Sequence, residues 1–336
     1  MDVKRKRLIF VISISLVVVV SILVPVILVL VYNSFTTYEL GQIDTGGDAF
    51  DVEIEGDIAY VVDTAEGNPG GLVIIDVSDP THPHILGSYY QSGLPYVVDV
   101  VGDIAYLVNT NIGLEVLNVS DPANPVKIDQ YTGSGAAFDV QVIGDIAYLV
   151  DWSRGLVLVN ISDPSDVSEI SRYSISGACP HIYVDNGIAY ITDHHSSYSG
   201  IMLIDVTNPQ SLSQVGYYAP SGIDFWNPFV HEDVIYSANH GSNGGELHIL
   251  NASDYSQISL LGVFDDGGSL SAAFTNSNIV YFADYQNGLI VVDLMDISNP
   301  RVVGRHFDGG HSYDVVVVGD IAYVADREDG LEIIQV

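Results

Sequence analysis

Apolar and polar positions along the chain fall into two regimes. From Leu8 to Val31 the sequence is a run without a single charged residue. Beyond it, short apolar runs alternate with clusters of Gly, Asp, Asn, Ser and Pro. These short runs are rich in β-branched residues and show no helical period, which predicts strands separated by turns.

A phrase closed by tyrosine recurs through the second regime. It reads GDIAY at 56–60, 102–106, 144–148 and 319–323, NGIAY at 186–190, EDVIY at 232–236 and SNIVY at 277–281. The tyrosines (Tyr60, Tyr106, Tyr148, Tyr190, Tyr236, Tyr281 and Tyr323) lie 42 to 46 residues apart. Self-similarity at that period signals a repeat architecture. Three residues after each tyrosine stands Asp or Asn: Asp63, Asn109, Asp151, Asp193, Asn239, Asp284 and Asp326. A glycine-led run follows, such as GLVIIDVSDP at 71–80, GLEVLNVSDP at 113–122 and GLVLVNISDP at 155–164. One repeat therefore predicts four strands: A (Phe50–Glu55), B (Ile58–Val62), C (Leu72–Val77) and D (Ile85–Tyr89). Four strands in that length make one propeller blade.

The last repeat reaches Val336 with strand C and lacks strand D, whereas a lone D-like strand, 38–43, precedes the first A strand. Pairing the two completes the seventh blade and hides the edges an open ring would expose. The expected fold is thus all-β: a seven-bladed β-propeller with four-stranded blades and N-/C-terminal strand closure. The expected organisation is a basic tail (1–7), a transmembrane helix (8–32), a linker (33–37) and the propeller (38–336). An apolar helix of that length covers about 36 Å, enough to cross a bilayer with some tilt. It exceeds the apolar core of a secretory signal peptide and no small-residue cleavage pattern follows it. Lys4, Arg5, Lys6 and Arg7 place its start in the cytoplasm by the positive-inside rule, and the propeller outside.

The runs GLVIIDVSDP, GLEVLNVSDP and GLVLVNISDP resemble the LVIVD-repeat family, and the repeats at Tyr236 and Tyr281 are the weakest copies. The resemblance implies a β-propeller of the kind often found on bacterial or archaeal surfaces. It implies no catalytic residue, because propellers carry binders and enzymes alike.

Charge narrows the functional classes. The chain has 43 acidic and 10 basic residues, a net charge of −33. A nucleic-acid binder that neutralises phosphates is excluded. Cys179 is the single cysteine, so a disulfide scaffold is excluded as well. No G-x-S-x-G elbow, P-loop or strand-borne G-x-G-x-x-G occurs.

Blade geometry puts the D–A and B–C connections on one face, here the top. A short linker into the lone D strand turns the opposite face toward the membrane and the top away from it. The B–C connections lengthen after Tyr60, Tyr190 and Tyr236. Around the latter two gather His181, His194, His195, Trp226, Asn227 and His240, with His311 further on. Variation on one rim is how repeat scaffolds build binding surfaces. The leading expectation is a binding module for an extracellular protein or glycan. The alternative is a metal-dependent hydrolase or oxidoreductase that holds a transition metal through these histidines. A structural cell-surface component is a further alternative.

Two more readings stay open. Asp51, Asp139 and Asp314 share one place in strand A, toward the channel. They either hold Ca²⁺ or cap backbone amides between blades. Asn118, Asn160 and Asn251 begin N-x-S sequons, and each replaces the Asp76 position of the repeat. They are candidate glycosylation sites and, equally, turn residues.

Overall fold

The computed structural model describes residues 36–336, apart from 65–69, 92, 134–135, 196–197, 240–244, 266, 269, 277 and 308. The expected tail and membrane span lie outside the described residues, as does most of the expected linker. Among the described residues no helix is long and apolar enough to cross a membrane.

Thr37–Val336 forms one compact unit. Its described residues build 28 strands in seven four-stranded antiparallel sheets. A lone strand, β1 (Tyr38–Ile43), comes first. Blade one is β2 (Asp48–Glu55), β3 (Ile58–Thr64), β4 (Gly71–Asp76) and β5 (His84–Tyr90). Blade two is β6 (Pro95–Val101), β7 (Ile104–Asn109), β8 (Gly113–Asn118) and β9 (Val126–Tyr131). Blade three is β10 (Ala137–Ile143), β11 (Ile146–Asp151), β12 (Gly155–Asn160) and β13 (Ser168–Tyr173). Blade four is β14 (Ile182–Asp185), β15 (Ile188–His195), β16 (Tyr198–Asp205) and β17 (Ser213–Tyr218). Blade five is β18 (Phe225–His231), β19 (Val234–Asn239), β20 (Glu246–Asn251) and β21 (Ser259–Asp265). Blade six is β22 (Leu270–Asn276), β23 (Ile279–Asp284), β24 (Gly288–Asp293) and β25 (Arg301–His306). Blade seven is β26 (Ser312–Val318), β27 (Ile321–Asp326) and β28 (Gly330–Gln335), with β1 as its outer strand.

The closure expected from the sequence is present: Tyr38 pairs with Gln335 and Ile43 with Leu331. β1 also carries the bulge of the other outer strands. Its register shifts between Glu39 and Gly41, leaving Leu40 as the extra residue. Leu86 occupies the same place in β5 and Val303 in β25. Gly41 follows the bulge because the next blade leaves no room there: a Cβ would lie 2.5 Å from the Pro80 carbonyl oxygen.

Strand boundaries differ from expectation by one or two residues, for identifiable reasons. Strand A of blade one starts at Asp48, strand B runs on to Thr64, and strand D covers His84–Tyr90. Turn-forming residues at these ends still pair across the ladder, as Asp48 does with Thr64. Strand C ends at Asp76, because the Val77 amide turns aside to the Asp57 carbonyl at 2.9 Å. The repeated Gly-Asp also finds its cause: Gly56 begins the A–B hairpin turn at φ +63°, a conformation that glycine reaches freely.

The core lies between blades. Val108, Val116 and Leu114 of blade two pack with Leu149, Val157 and Val159 of blade three. Val61, Val73 and Ile75 of blade one pack likewise with Ala325, Leu331 and Ile333 of blade seven. The B and C strands are buried on both faces, so they read as continuous apolar runs rather than as an alternation. The seven repeat tyrosines are all buried within these layers.

Candidate functional site

Seven inner strands converge on the channel, and their entry geometry sets its mouth. The inner ladder shifts register at Ala49/Asp51, Pro95/Val97, Ala137/Asp139 and Ser312/Asp314. Each shift is a bulge, and the extra residues are Phe50, Tyr96, Phe138 and Tyr313. A bulge leaves its residue unpaired and re-aims the side chain. Here the four rings meet in series: Tyr313 lies 4.7 Å from Phe50, Phe50 5.8 Å from Tyr96, and Tyr96 5.4 Å from Phe138. Trp152, from the B–C turn of blade three, extends the arc at 5.1 Å from Phe138 and is 48% exposed. Tyr285 extends the other end at 5.6 Å from Tyr313. The arc forms an aromatic collar that the sequence reading did not anticipate.

Arg327 sits inside the collar. Its Cζ lies 5.8 Å from the Phe50 ring, 6.0 Å from Tyr285 and 5.9 Å from Tyr313. Its Nη2 donates to Asp48 at 2.7 Å and its Nη1 to the Tyr285 hydroxyl at 2.9 Å. Burial works against its charge, but Asp48 and Tyr285 more than offset that.

The aspartates of strand A accept backbone amides from the neighbouring blades. The Val52 amide donates to Asp314 at 3.2 Å, the Val98 amide to Asp51 at 2.7 Å and the Ile182 amide to Asp139 at 2.9 Å. One tier below, the Val142 amide donates to Asp99 at 2.6 Å. Blade seven is thus tied to one, one to two, two to three, and three to four. Burial of these carboxyls favours their neutral forms. Burial and then the neighbouring Asp314 hold Asp51 well above the usual carboxylate range. Burial lifts Asp314 and Asp99 to about 6. Burial, Asp99 and Asp314 together lift Glu53 to about 8. Among the described residues no group of three His, Cys, Asp or Glu side chains is arranged to hold a metal ion.

The histidine candidates divide. His181 and His194 both pack on Trp226, with ring centroids at 5.1 and 5.2 Å. His181 Nδ1 stands 3.7 Å from Asp139, and its Nε2 is buried without a partner. His194 Nε2 donates to the Phe225 carbonyl at 2.5 Å and lies 3.5 Å from Asp224, which binds blade four to blade five. His195 follows at the end of β15, where alternation sends its side chain to the other face of the strand. Asn227 adopts φ +38°, at a register break from Trp226 to Phe229. His311 is distant in the ring: it pairs with Glu328 at 3.1 Å and lies 4.4 Å from Tyr285. His240 lies outside the described residues, as do parts of the three long B–C connections. Cys179 is fully buried and its thiol is pushed up, chiefly by burial. The structure places His181 and His194 against Trp226, and His311 apart from them, against Tyr285.

The sequon asparagines behave as turn residues on the bottom face. The side-chain oxygen of Asn118 accepts from the Ser120 amide at 2.9 Å, as Asp76 does from Ser78 at 2.9 Å. Asn160 and Asn251 repeat the arrangement with Ser162 and Ser253.

Comparison with known proteins agrees with this architecture. No curated protein matches by sequence. Virginiamycin B lyase from Staphylococcus aureus, in a catalytically inactive form with quinupristin, is similar in structure. Its TM-score is 0.68 at 9% identity, covering 90% of this chain and 99% of that one. YCF48 from Cyanidioschyzon merolae gives a TM-score of 0.66 at 13% identity, covering 89% and 98%. YCF48 bound to D1 peptide gives 0.64 at 11% identity, covering 91% and 97%. At these identities the likeness concerns the fold. The LVIVD repeat model matches residues 46–91, 96–133, 134–175, 276–307 and 309–336. The copy at Tyr281, expected to be weak, is matched, whereas 176–275 is not. The unmatched stretch holds His181, His194, His195, Trp226 and Asn227. With the repeat matched over more than half its length and seven closed blades, this chain belongs to the LVIVD-repeat family of β-propellers.

Proposed function

We propose that this propeller is a binding module that engages a protein partner through its top face. The observation that carries the reading is the aromatic collar at the channel mouth. Aromatic rings give large, stiff contact area, and they dominate the energetics of protein interfaces. The collar is flanked by Leu94, 54% exposed, and by Trp152, so the surface there is both apolar and accessible. Departure from the repeat falls on blades four and five, beside the collar, as expected where a scaffold has been adapted to a ligand. YCF48, similar in fold, was solved with a peptide. The apolar run at 8–31 and the basic residues before it support a tether that keeps the propeller outside the cell.

The test is selection of binders from a random peptide display library on the full chain in detergent micelles. Selected peptides should lose about tenfold in affinity on a Tyr96→Ala/Trp152→Ala chain, on the scale of two lost interface anchors. They should keep their affinity on Ala123→Asp, a change in a bottom turn. Peptides that ignore the collar change but fail on the bottom change would overturn the reading, as would the absence of any selectable peptide.

A further inference from the structure

We propose that the sector of the channel mouth formed by blades one to three receives a cationic side chain, lysine or arginine, from the protein partner. This deepens the reading above and rests on the top face being the binding face.

The molecule already performs this recognition with a residue of its own. Arg327 fills the sector of blades six, seven and one, held by three rings and the Asp48 carboxylate. An aromatic face attracts a cation through its quadrupole, and a nearby carboxylate fixes the direction of approach. The adjoining sector repeats both components. Its rings are Phe50, Tyr96, Phe138 and Trp152, in unbroken series. Its carboxyls are Asp51 and Asp139, one residue along the inner strands from Phe50 and Phe138. Among the described residues no lysine or arginine lies over Tyr96, Phe138 or Trp152 as Arg327 lies over its own rings.

Lys127 pairs with Glu115, Arg172 with Glu169 and Arg301 with Asp293. Among the described residues no lysine or arginine forms an ion pair with Asp51, Asp139 or Asp314. Asp51 accepts the Val98 amide through one oxygen, and Asp139 accepts the Val140 and Ile182 amides, one through each oxygen; a carboxyl oxygen can accept a second donor, so acceptor capacity remains. An incoming guanidinium or ammonium brings donors to satisfy such acceptors. An apolar or anionic side chain brings none, and would desolvate the carboxyls without return. Long-range charge acts the same way: a net charge of −33 draws a basic partner toward the molecule and repels an acidic one.

The probes are N-acetyl-argininamide and its neutral isostere N-acetyl-citrullinamide. Each is titrated into the full chain in detergent, and the indole N–H signals of the two tryptophans are followed by NMR. Both tryptophans border the mouth, so each reports one side of it: Trp152 the proposed sector and Trp226 the His181–His194 side. The arginine probe should shift the Trp152 signal with an affinity about tenfold above that of citrulline, on the scale of one cation–ring contact. Tyr96→Leu keeps an apolar side chain but removes the ring face, and should weaken the arginine probe roughly fivefold or more. Trp152→Ala, at an exposed position, is the second variant and is read through loss of Tyr96 ring shifts; urea midpoints confirm that both variants are folded. Equal binding of the two probes overturns the inference, and so does a Trp152 signal that neither probe moves. The peptide selection separates this failure from that of the binding reading. Collar-dependent peptides without lysine or arginine would overturn the cation and leave the binding face standing.

Discussion

Glu115 offers the sharpest test of how the blades are held together. Its side chain is fully buried in β8, and Lys127 of β9, 25% exposed, neutralises it at 3.0 Å. The Tyr89 hydroxyl from blade one also donates to it, at 3.1 Å. Replacing Lys127 with Met keeps the bulk of the side chain but leaves the carboxylate without its counter-charge. Stripping one partner from a buried ion pair costs about 3–5 kcal/mol. That is a fifth or more of a stability of about 5–15 kcal/mol. With a urea slope of about 3 kcal/mol per M, the unfolding midpoint should fall by roughly 1–2 M. Adding Glu115→Leu removes the stranded charge and should recover most of the loss. The Tyr89 hydroxyl then loses an acceptor, at about 1 kcal/mol, so recovery falls short of complete. The assay is a double-mutant cycle in urea, with slopes compared to verify two-state behaviour. A Lys127→Met midpoint within about 0.3 M of the parent, or a double variant no better than the single, would refute the reasoning.

Two further outcomes follow from the channel and from the closure. Glu53 titrates near 8 in the folded chain, and Asp99 and Asp314 near 6, against about 4 in an unfolded chain. Raised folded values mean stability that is complete at low pH and lost as pH climbs through 6 and then 8. Urea midpoints should therefore fall between pH 5 and pH 9, and Glu53→Gln should flatten the part of the fall above pH 7; parallel curves would contradict this. Gly41→Ala should cost about 1–3 kcal/mol by forcing blade seven off the Pro80 carbonyl of blade one, and an unchanged melting temperature would show that the two blades do not meet so closely.

The fold was legible because each repeat prints its own elements. Tyr60 and its equivalents mark strand B, and the Asp or Asn three residues on, such as Asn109 and Asp326, is buried in every copy. Repetition turns weak strand signals into a strong one, since an error in one blade is outvoted by the other six. Strand ends were less legible. Whether Val77 stays in the ladder depends on a carbonyl of another turn, which no local pattern records. The site was legible only in part. His181, His194 and Trp226 stand out as departures from the repeat, and departure is what a sequence comparison with itself reveals. The collar escaped for the opposite reason. Phe50, Tyr96, Phe138 and Tyr313 are regular, so they read as ordinary strand aromatics. Their role arises from a bulge, and a bulge has no composition of its own here. It appears only once the inner strands crowd toward an axis and the ladder slips by one residue. The signal lay one position before the channel aspartates, in an aromatic shared by these copies.

Closure of the ring also sets a clock on biosynthesis. Tyr38 finds its partner only in Gln335, 297 residues later. A ribosome adding about 5–20 residues per second needs roughly 15–60 s to cover that distance. Through that interval β1 has emerged while its partner strand is unmade, and Leu40 and Ile43 await the apolar layer they share with Ile333. The other six blades finish in turn, each within its own stretch of chain. The seventh alone is assembled from the first strand and the last, so the nascent propeller stays an open arc until translation has passed Gln335.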